Sequence, residues 1–146
     1  MFKQYVQVVA YGEEYKCRPP PWAILSFTLL QIILYIVDRG FLQNSSDDYK
    51  CSLTIYNPYK RVEIWRYITY MFVHIDNGHL IGNMIMQLLV GLPLEMSHGT
   101  FRLTTVYMFG VVAGSLSSSV FDKKVYLGGA SGGVYALVAS HLGKLI

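Results

Sequence analysis

The stretch Gly129-Ala130-Ser131-Gly132-Gly133-Val134-Tyr135-Ala136-Leu137 heads an apolar run that continues to Ile146. From Ser131 onward the run would make about 24 Å of helix at 1.5 Å per residue. The hydrocarbon core of a bilayer is about 30 Å thick. A helix ending at one membrane face therefore starts below the other, which puts Ser131 inside the apolar layer. Upstream, His79 and Asn83 lie four residues apart within a second apolar segment. Polar side chains at such depth are costly and mark functional positions by default. A serine, a histidine and an asparagine in this setting point to hydrolytic chemistry inside a bilayer.

Composition agrees with that setting. Of 146 residues, 53% are hydrophobic and 14% charged, whereas a soluble domain carries about 25% charge. The length suits one domain. The net charge of +3 is small and unclustered. With no basic stripe or zinc-finger spacing, nucleic acid is not an expected partner. The 12 Tyr, 7 Phe and 2 Trp fit interfacial belts or a large aromatic core. Cys17 and Cys51 flank the first apolar segment. If that segment spans, they lie on opposite sides, and neither has metal-type spacing. Free thiols are expected, Cys17 being close enough to the membrane for acylation. No signal-peptide pattern is evident around the first apolar run.

The fold expected is all-α, a polytopic membrane helix bundle. Residues 1–21 read as a polar tail ending in Pro19-Pro20-Pro21, a stiff connector. Spans are expected at about 22–42, 76–96, 101–121 and 131–146, with a structured loop over 43–75. Trp22 is placed as an interfacial anchor, and Gln31 is the strongly polar member of the first span. Asn44-Ser45-Ser46 is a formal glycosylation sequon. The amphipathic segment Val62-Glu63-Ile64-Trp65-Arg66-Tyr67 is expected on or partly in the bilayer. Polar joints at Ser97-His98-Gly99 and Asp122-Lys123-Lys124 separate the later spans. Gly110, Gly114 and Ser118 form one small-residue stripe; Gly132, Ala136, Ala139 and Gly143 form another. Such stripes let membrane helices approach backbone to backbone. Charge leaves orientation open. The tail holds Lys3, Lys16 and Arg18, but the first connection holds Arg39, Lys50, Lys60, Arg61 and Arg66. The positive-inside rule therefore does not favour a cytoplasmic tail.

The candidate chemistry narrows by elimination. Gly129-Ala130-Ser131-Gly132-Gly133 fits the nucleophile elbow of soluble α/β-hydrolases, but that fold needs strands before the serine and an acid and a histidine after it. Too little chain follows Ser131. A nucleophilic serine needs a base in hydrogen-bond reach. His141 is about 15 Å further along the same helix by rise alone, so it reads as a polar helix-end residue. His79 and Asn83, at i and i+4, share a helix face. Two donors aimed at one point, with a backbone N–H at the nucleophile, make an oxyanion hole. The plain alternative is a pair bonding to neighbouring helices. His74 adds no convincing metal set, since no third ligand converges. Glu95 reads as structural, bonding the adjoining loop.

Together these motifs resemble the rhomboid family of intramembrane serine proteases. The match runs from about Trp22 onward and is strongest over Glu63–Leu142. Trp65-Arg66 resembles the family's first-loop signature, and His74 with His79-x3-Asn83 its second-helix motif. Gly91-x3-Glu95-x3-Gly99 resembles the next segment. Gly129-Ala130-Ser131-Gly132 with Tyr135-Ala136-Leu137 resembles the nucleophile region, and the wording of Leu89-Val90-Gly91-Leu92-Pro93-Leu94-Glu95 and Gly132-Gly133-Val134-Tyr135-Ala136-Leu137 looks most like animal rhomboid-related proteins. The resemblance implies a rhomboid-like bundle with four of six or seven transmembrane helices present. It implies Ser131 as nucleophile, and His79 and Asn83 as oxyanion donors beside the Ser131 N–H. Tyr135 would pack on the catalytic histidine; Gly129, Gly132, His74, Trp65, Arg66 and Glu95 would support the site. Substrates would be single-pass transmembrane proteins, the tail cytoplasmic, and no metal, ATP or other cofactor needed. One departure stands out. The family's base is a histidine on its sixth helix, and no residue here takes that role. The expectation is a partial rhomboid domain over 22–146 belonging to a longer protease, the alternative being a truncated inactive form. The isolated chain is expected not to cleave. A non-catalytic rhomboid-like protein that binds transmembrane clients is the rival reading, and a Ser131–His79 dyad a further one.

Overall fold

A computed structural model describes residues 20–39 and 53–145. Most of the tail with Cys17, the extension at 40–42, the sequon, Cys51 and Ile146 lie outside the described residues. The architecture is all-α. Helix α1 is Trp22–Val37, α2 a single turn at Arg66–Thr69 continued by a 3-10 turn at Tyr70–Phe72, α3 Asn77–His98, α4 Thr100–Phe121 and α5 Ser131–Leu145. Among the described residues α3 and α4, at 22 residues each, are long and apolar enough to cross a membrane. Among the described residues the extended backbone contributes one isolated antiparallel bridge, between Tyr56 and Leu127.

Each helix start has its own physical cause. Proline at Pro21 suits the entry to α1 because its missing N–H is not needed there. No side chain of α1 caps that end. Instead Glu95, far along α3, accepts from the Ala23 and Ile24 amides at 2.9 Å each and from the Thr100 hydroxyl at 2.8 Å. A carboxylate on a helix N-terminus satisfies orphan amides and complements the dipole. Asp76 caps α3 through Oδ1, which accepts from the His79 amide at 2.8 Å. Helix α3 runs on to His98, so the joint expected at Ser97-His98-Gly99 narrows to Gly99. That residue adopts φ +83°, open to glycine at little cost.

Burial follows helical periodicity. Ile24, Thr28, Gln31 and Tyr35 form the buried face of α1, and Leu103, Tyr107, Val111 and Ser115 that of α4. The outer face of α1 carries exposed Leu25, Leu29, Ile33 and Ile36. Helix α5 packs most extensively against α4 and next against α3. The stripes meet there: a Cβ on Gly110 would come within 2.7 Å of the Gly132 carbonyl oxygen. Gly143, in contrast, has nothing within 4 Å, so the second stripe is not in contact along its whole length. The segment 53–75 folds against the bundle. Its Val62, Ile64 and Trp65 point outward while Arg66 is buried, held by Glu63 at 2.6 Å and the Ile55 carbonyl at 2.8 Å.

Candidate functional site

Two helix starts converge on one cavity. Its volume is about 300 Å³, and its walls are Gly78, His79, Gly82 and Asn83 of α3, with Met86, and Ser131, Val134 and Tyr135 of α5. Ser131 is the first residue of α5 and His79 lies in the first turn of α3. The first amides of a helix have no intrahelical partner and carry partial positive charge. At α3 the Asp76 carboxylate already takes the His79 amide, so it is the start of α5, at Ser131, that offers the cavity amides suited to negative charge.

Asn83 is buried, and its Nδ2 donates to the His79 carbonyl at 2.9 Å. The amide has a second hydrogen to offer a ligand. Gly82, one residue before, has nothing within 4 Å of where a Cβ would sit, which leaves room for an occupant. Tyr135, 73% exposed, stands at the rim.

Behind the cavity, Gly129 explains how α3 and the entry to α5 come so close. Its φ is +117°, a region that penalises any Cβ. That Cβ would also overlap the His79 ring, coming within 2.8 Å of Nε2. Gly132 faces the other way, where a Cβ would lie 2.7 Å from the Tyr70 hydroxyl and 3.0 Å from the Gly110 carbonyl. His74 sits outside the cavity, edge-on to the His79 ring at 5.5 Å between centroids and to Tyr35 at 6.5 Å. It is buried, with neither ring nitrogen in hydrogen-bond geometry with a protein group. Burial, and then the neighbouring His79, push its pKa down to about 4; the Phe72 carbonyl and Asp76 pull weakly the other way. Its ring is therefore neutral near pH 7.

Of the residues singled out in the sequence, Ser131, His79, Asn83 and Tyr135 line one cavity, and Gly129, His74 and Gly132 pack next to it. Trp65, Arg66 and Glu95 do not reach it. The Trp65 indole donates to the Leu53 carbonyl at 3.3 Å; Arg66 braces the 53–69 loop and Glu95 caps α1. Among the described residues no three His, Cys, Asp or Glu side chains gather as a metal set. Sequence reasoning passed over Asp76, although Asp three residues before a helical amide is a capping signal. It also passed over Tyr70, whose bonds to Gly129 and Val111 are distant in sequence.

This is a helical bundle of the membrane type, with a cavity bearing Ser131, His79 and Asn83 set between two of its helices. Residues 61–146 match the family model described as the Rhomboid domain, and the chain belongs to the rhomboid family, whose members are integral membrane proteins. It is 43% identical over 141 residues to Rhomboid-related protein 3 of Homo sapiens, covering 93% of this chain and 35% of that protein. It is 40% identical over 149 residues to Rhomboid-related protein 2 of Mus musculus, covering 93% and 47%. A third relative, Inactive rhomboid-related protein 2 of Caenorhabditis elegans, is 32% identical over 146 residues, covering 95% and 41%. The chain thus spans between a third and a half of the length of these curated relatives.

Proposed function

We propose that the chain forms the nucleophile-bearing part of an intramembrane serine endopeptidase acting on single-pass transmembrane proteins. The observation that carries this reading is the meeting of Ser131, His79 and Asn83 on one cavity between two helix N-termini. The Ser131 hydroxyl oxygen attacks the scissile carbonyl carbon, and the carbonyl electron pair moves onto its oxygen. The His79 ring, the Asn83 amide and the Ser131 backbone N–H donate to that oxyanion, in a setting where donors aimed at developing charge count most. A histidine outside residues 1–146 takes the hydroxyl proton and returns it to the leaving amine, giving an acyl-enzyme that water then hydrolyses. No metal, ATP or cofactor enters. The protein is multi-pass, with the tail cytoplasmic and the 38–66 loop outside or in a lumen.

The test uses the natural protein that carries these residues, reconstituted in liposomes with a single-pass transmembrane substrate. Cleavage lost in Ser131→Ala is the expected result; cleavage unaffected by that change overturns it. His79→Ala separates two versions of the mechanism. Retained labelling by a serine-reactive probe with slower turnover fits an oxyanion donor, and loss of labelling fits a base. A second reading is favoured by the similarity to a relative named inactive: the cavity binds transmembrane clients without cutting them. Client capture with no cleavage, unchanged in Ser131→Ala, would select it.

A further inference from the structure

Tyr70 touches the site at no point, yet it holds the chain that enters α5. Its carbonyl accepts from the Gly129 amide at 3.0 Å. Its ring runs inward, 1% exposed, and the hydroxyl donates to the Val111 carbonyl of α4 at 2.7 Å. That hydroxyl lies where Cβ atoms on Gly114 and Gly132 would fall, at 2.9 and 2.7 Å. One residue therefore bonds the backbone two positions before Ser131 and wedges between the helices that set the height of Ser131. The neighbouring chain is tied the same way. Tyr56 and Leu127 exchange backbone hydrogen bonds at 3.0 and 3.2 Å, and a Cβ on Gly128 would come within 3.1 Å of the Val73 carbonyl. On its far side Gly129 presses the His79 ring.

We propose that Tyr70 is a positioning residue: through Gly129 and α4 it fixes Ser131 relative to His79 and Asn83. The catalytic part of this inference rests on the proposed role of Ser131; the geometric part does not. Misplacement of reacting groups by about 1 Å costs on the order of a hundredfold in rate. Tyr70→Phe keeps the ring and the Gly129 bond and removes the hydroxyl that sets the α4 distance.

Two readouts on the natural protein separate the inference from the reading beneath it. The first is the rate of fluorophosphonate acylation and of substrate cleavage in Tyr70→Phe. Both should fall about tenfold or more, with kcat lowered and KM unchanged. The second is disulfide formation between cysteines placed by Ser131→Cys and Asn83→Cys, which requires no catalysis. Its rate should fall severalfold when Tyr70→Phe is added. Gly114→Ala supplies a suppressor. The new methyl meets the Tyr70 hydroxyl as its closest neighbour, so Gly114→Ala should slow cross-linking with Tyr70 present and do so much less with Phe there. Cross-linking indifferent to Tyr70→Phe overturns the positioning role, whatever the activity. Slowed cross-linking in a protein that never acylates keeps the positioning role and removes the protease reading.

Discussion

The α4–α5 and α1–α3 interfaces are built from opposite materials. Between α4 and α5 small residues bring the backbones together: Gly110 and Gly114 lie against Gly132, the Ala136 methyl meets Gly110, the Tyr107 ring lies on Gly133, and the Tyr70 hydroxyl is a polar key between them. Between α1 and α3 the contact is a closed polar ring completed by α4. Gln87 Nε2 donates to Thr28 Oγ1 at 2.9 Å and to Gln31 Oε1 at 3.1 Å. The Tyr107 hydroxyl donates to Gln87 Oε1 at 2.8 Å and accepts from Gln31 Nε2 at 3.1 Å. Backbone contact sets a distance to tenths of an ångström, and it occurs where Ser131 must be placed. The polar ring selects which helices pair and at what rotation, because an amide without a partner in an apolar medium is costly. Position and pairing thus rest on different contacts, joined at Tyr107, whose hydroxyl closes the polar ring while its ring lies on Gly133.

The largest effect should come from filling the backbone contact. Gly132→Val puts carbon against the Tyr70 hydroxyl and the Gly110 carbonyl, and should cost more than about 3 kcal/mol by overpacking. Thermal unfolding in detergent and probe labelling together should show a destabilised protein with no reactive serine. Gln87→Leu probes the other surface. It removes the donor to Gln31 Oε1 and Thr28 Oγ1 and the acceptor of the Tyr107 hydroxyl, which keeps only its bond from Gln31 Nε2, for a loss of about 2–4 kcal/mol. Acylation per folded molecule should nevertheless stay within about twofold of wild type, if distance and pairing are separable. A Gln87→Leu protein as stable as wild type would remove the polar ring from the account.

His74 gives a pH prediction of comparable size. Its native pKa of about 4 lies below the ordinary histidine value near 6.5. Between those values the unfolded chain binds a proton that the native one refuses. Stability should therefore be flat above about pH 6.5, fall as pH drops toward 4, and level off below, by up to about 3 kcal/mol. The difference between wild type and His74→Phe in denaturation profiles over that range isolates this contribution. The smallest effect belongs to Asp76→Ala, which removes the cap of α3 at a cost of about 1 kcal/mol, measurable as a small drop in unfolding temperature.

Local spacing made part of this legible in the sequence. Helical class followed from long uncharged runs, and the shared face of His79 and Asn83 from their four-residue separation. Gly129 and Gly132 stood out as glycines flanking a serine, but not which neighbours demanded them: the His79 ring in one case and the Tyr70 hydroxyl in the other. Gln31 was visible as an isolated amide in an apolar run, while its partners Gln87 and Tyr107 lie 56 and 76 residues away. Tyr70 looked like one aromatic among many, since its bond to Val111 spans 41 residues. Glu95 reads from its position as bonding the loop beside it. Its longer reach to α1 depends on how the helices pack.

The most direct measurement is peptide mapping by mass spectrometry after treating the natural protein in membranes with a fluorophosphonate. The account predicts a single adduct on Ser131, absent in Ser131→Ala and formed more slowly in Asn83→Ala. No adduct, or one carried by a different serine, contradicts it.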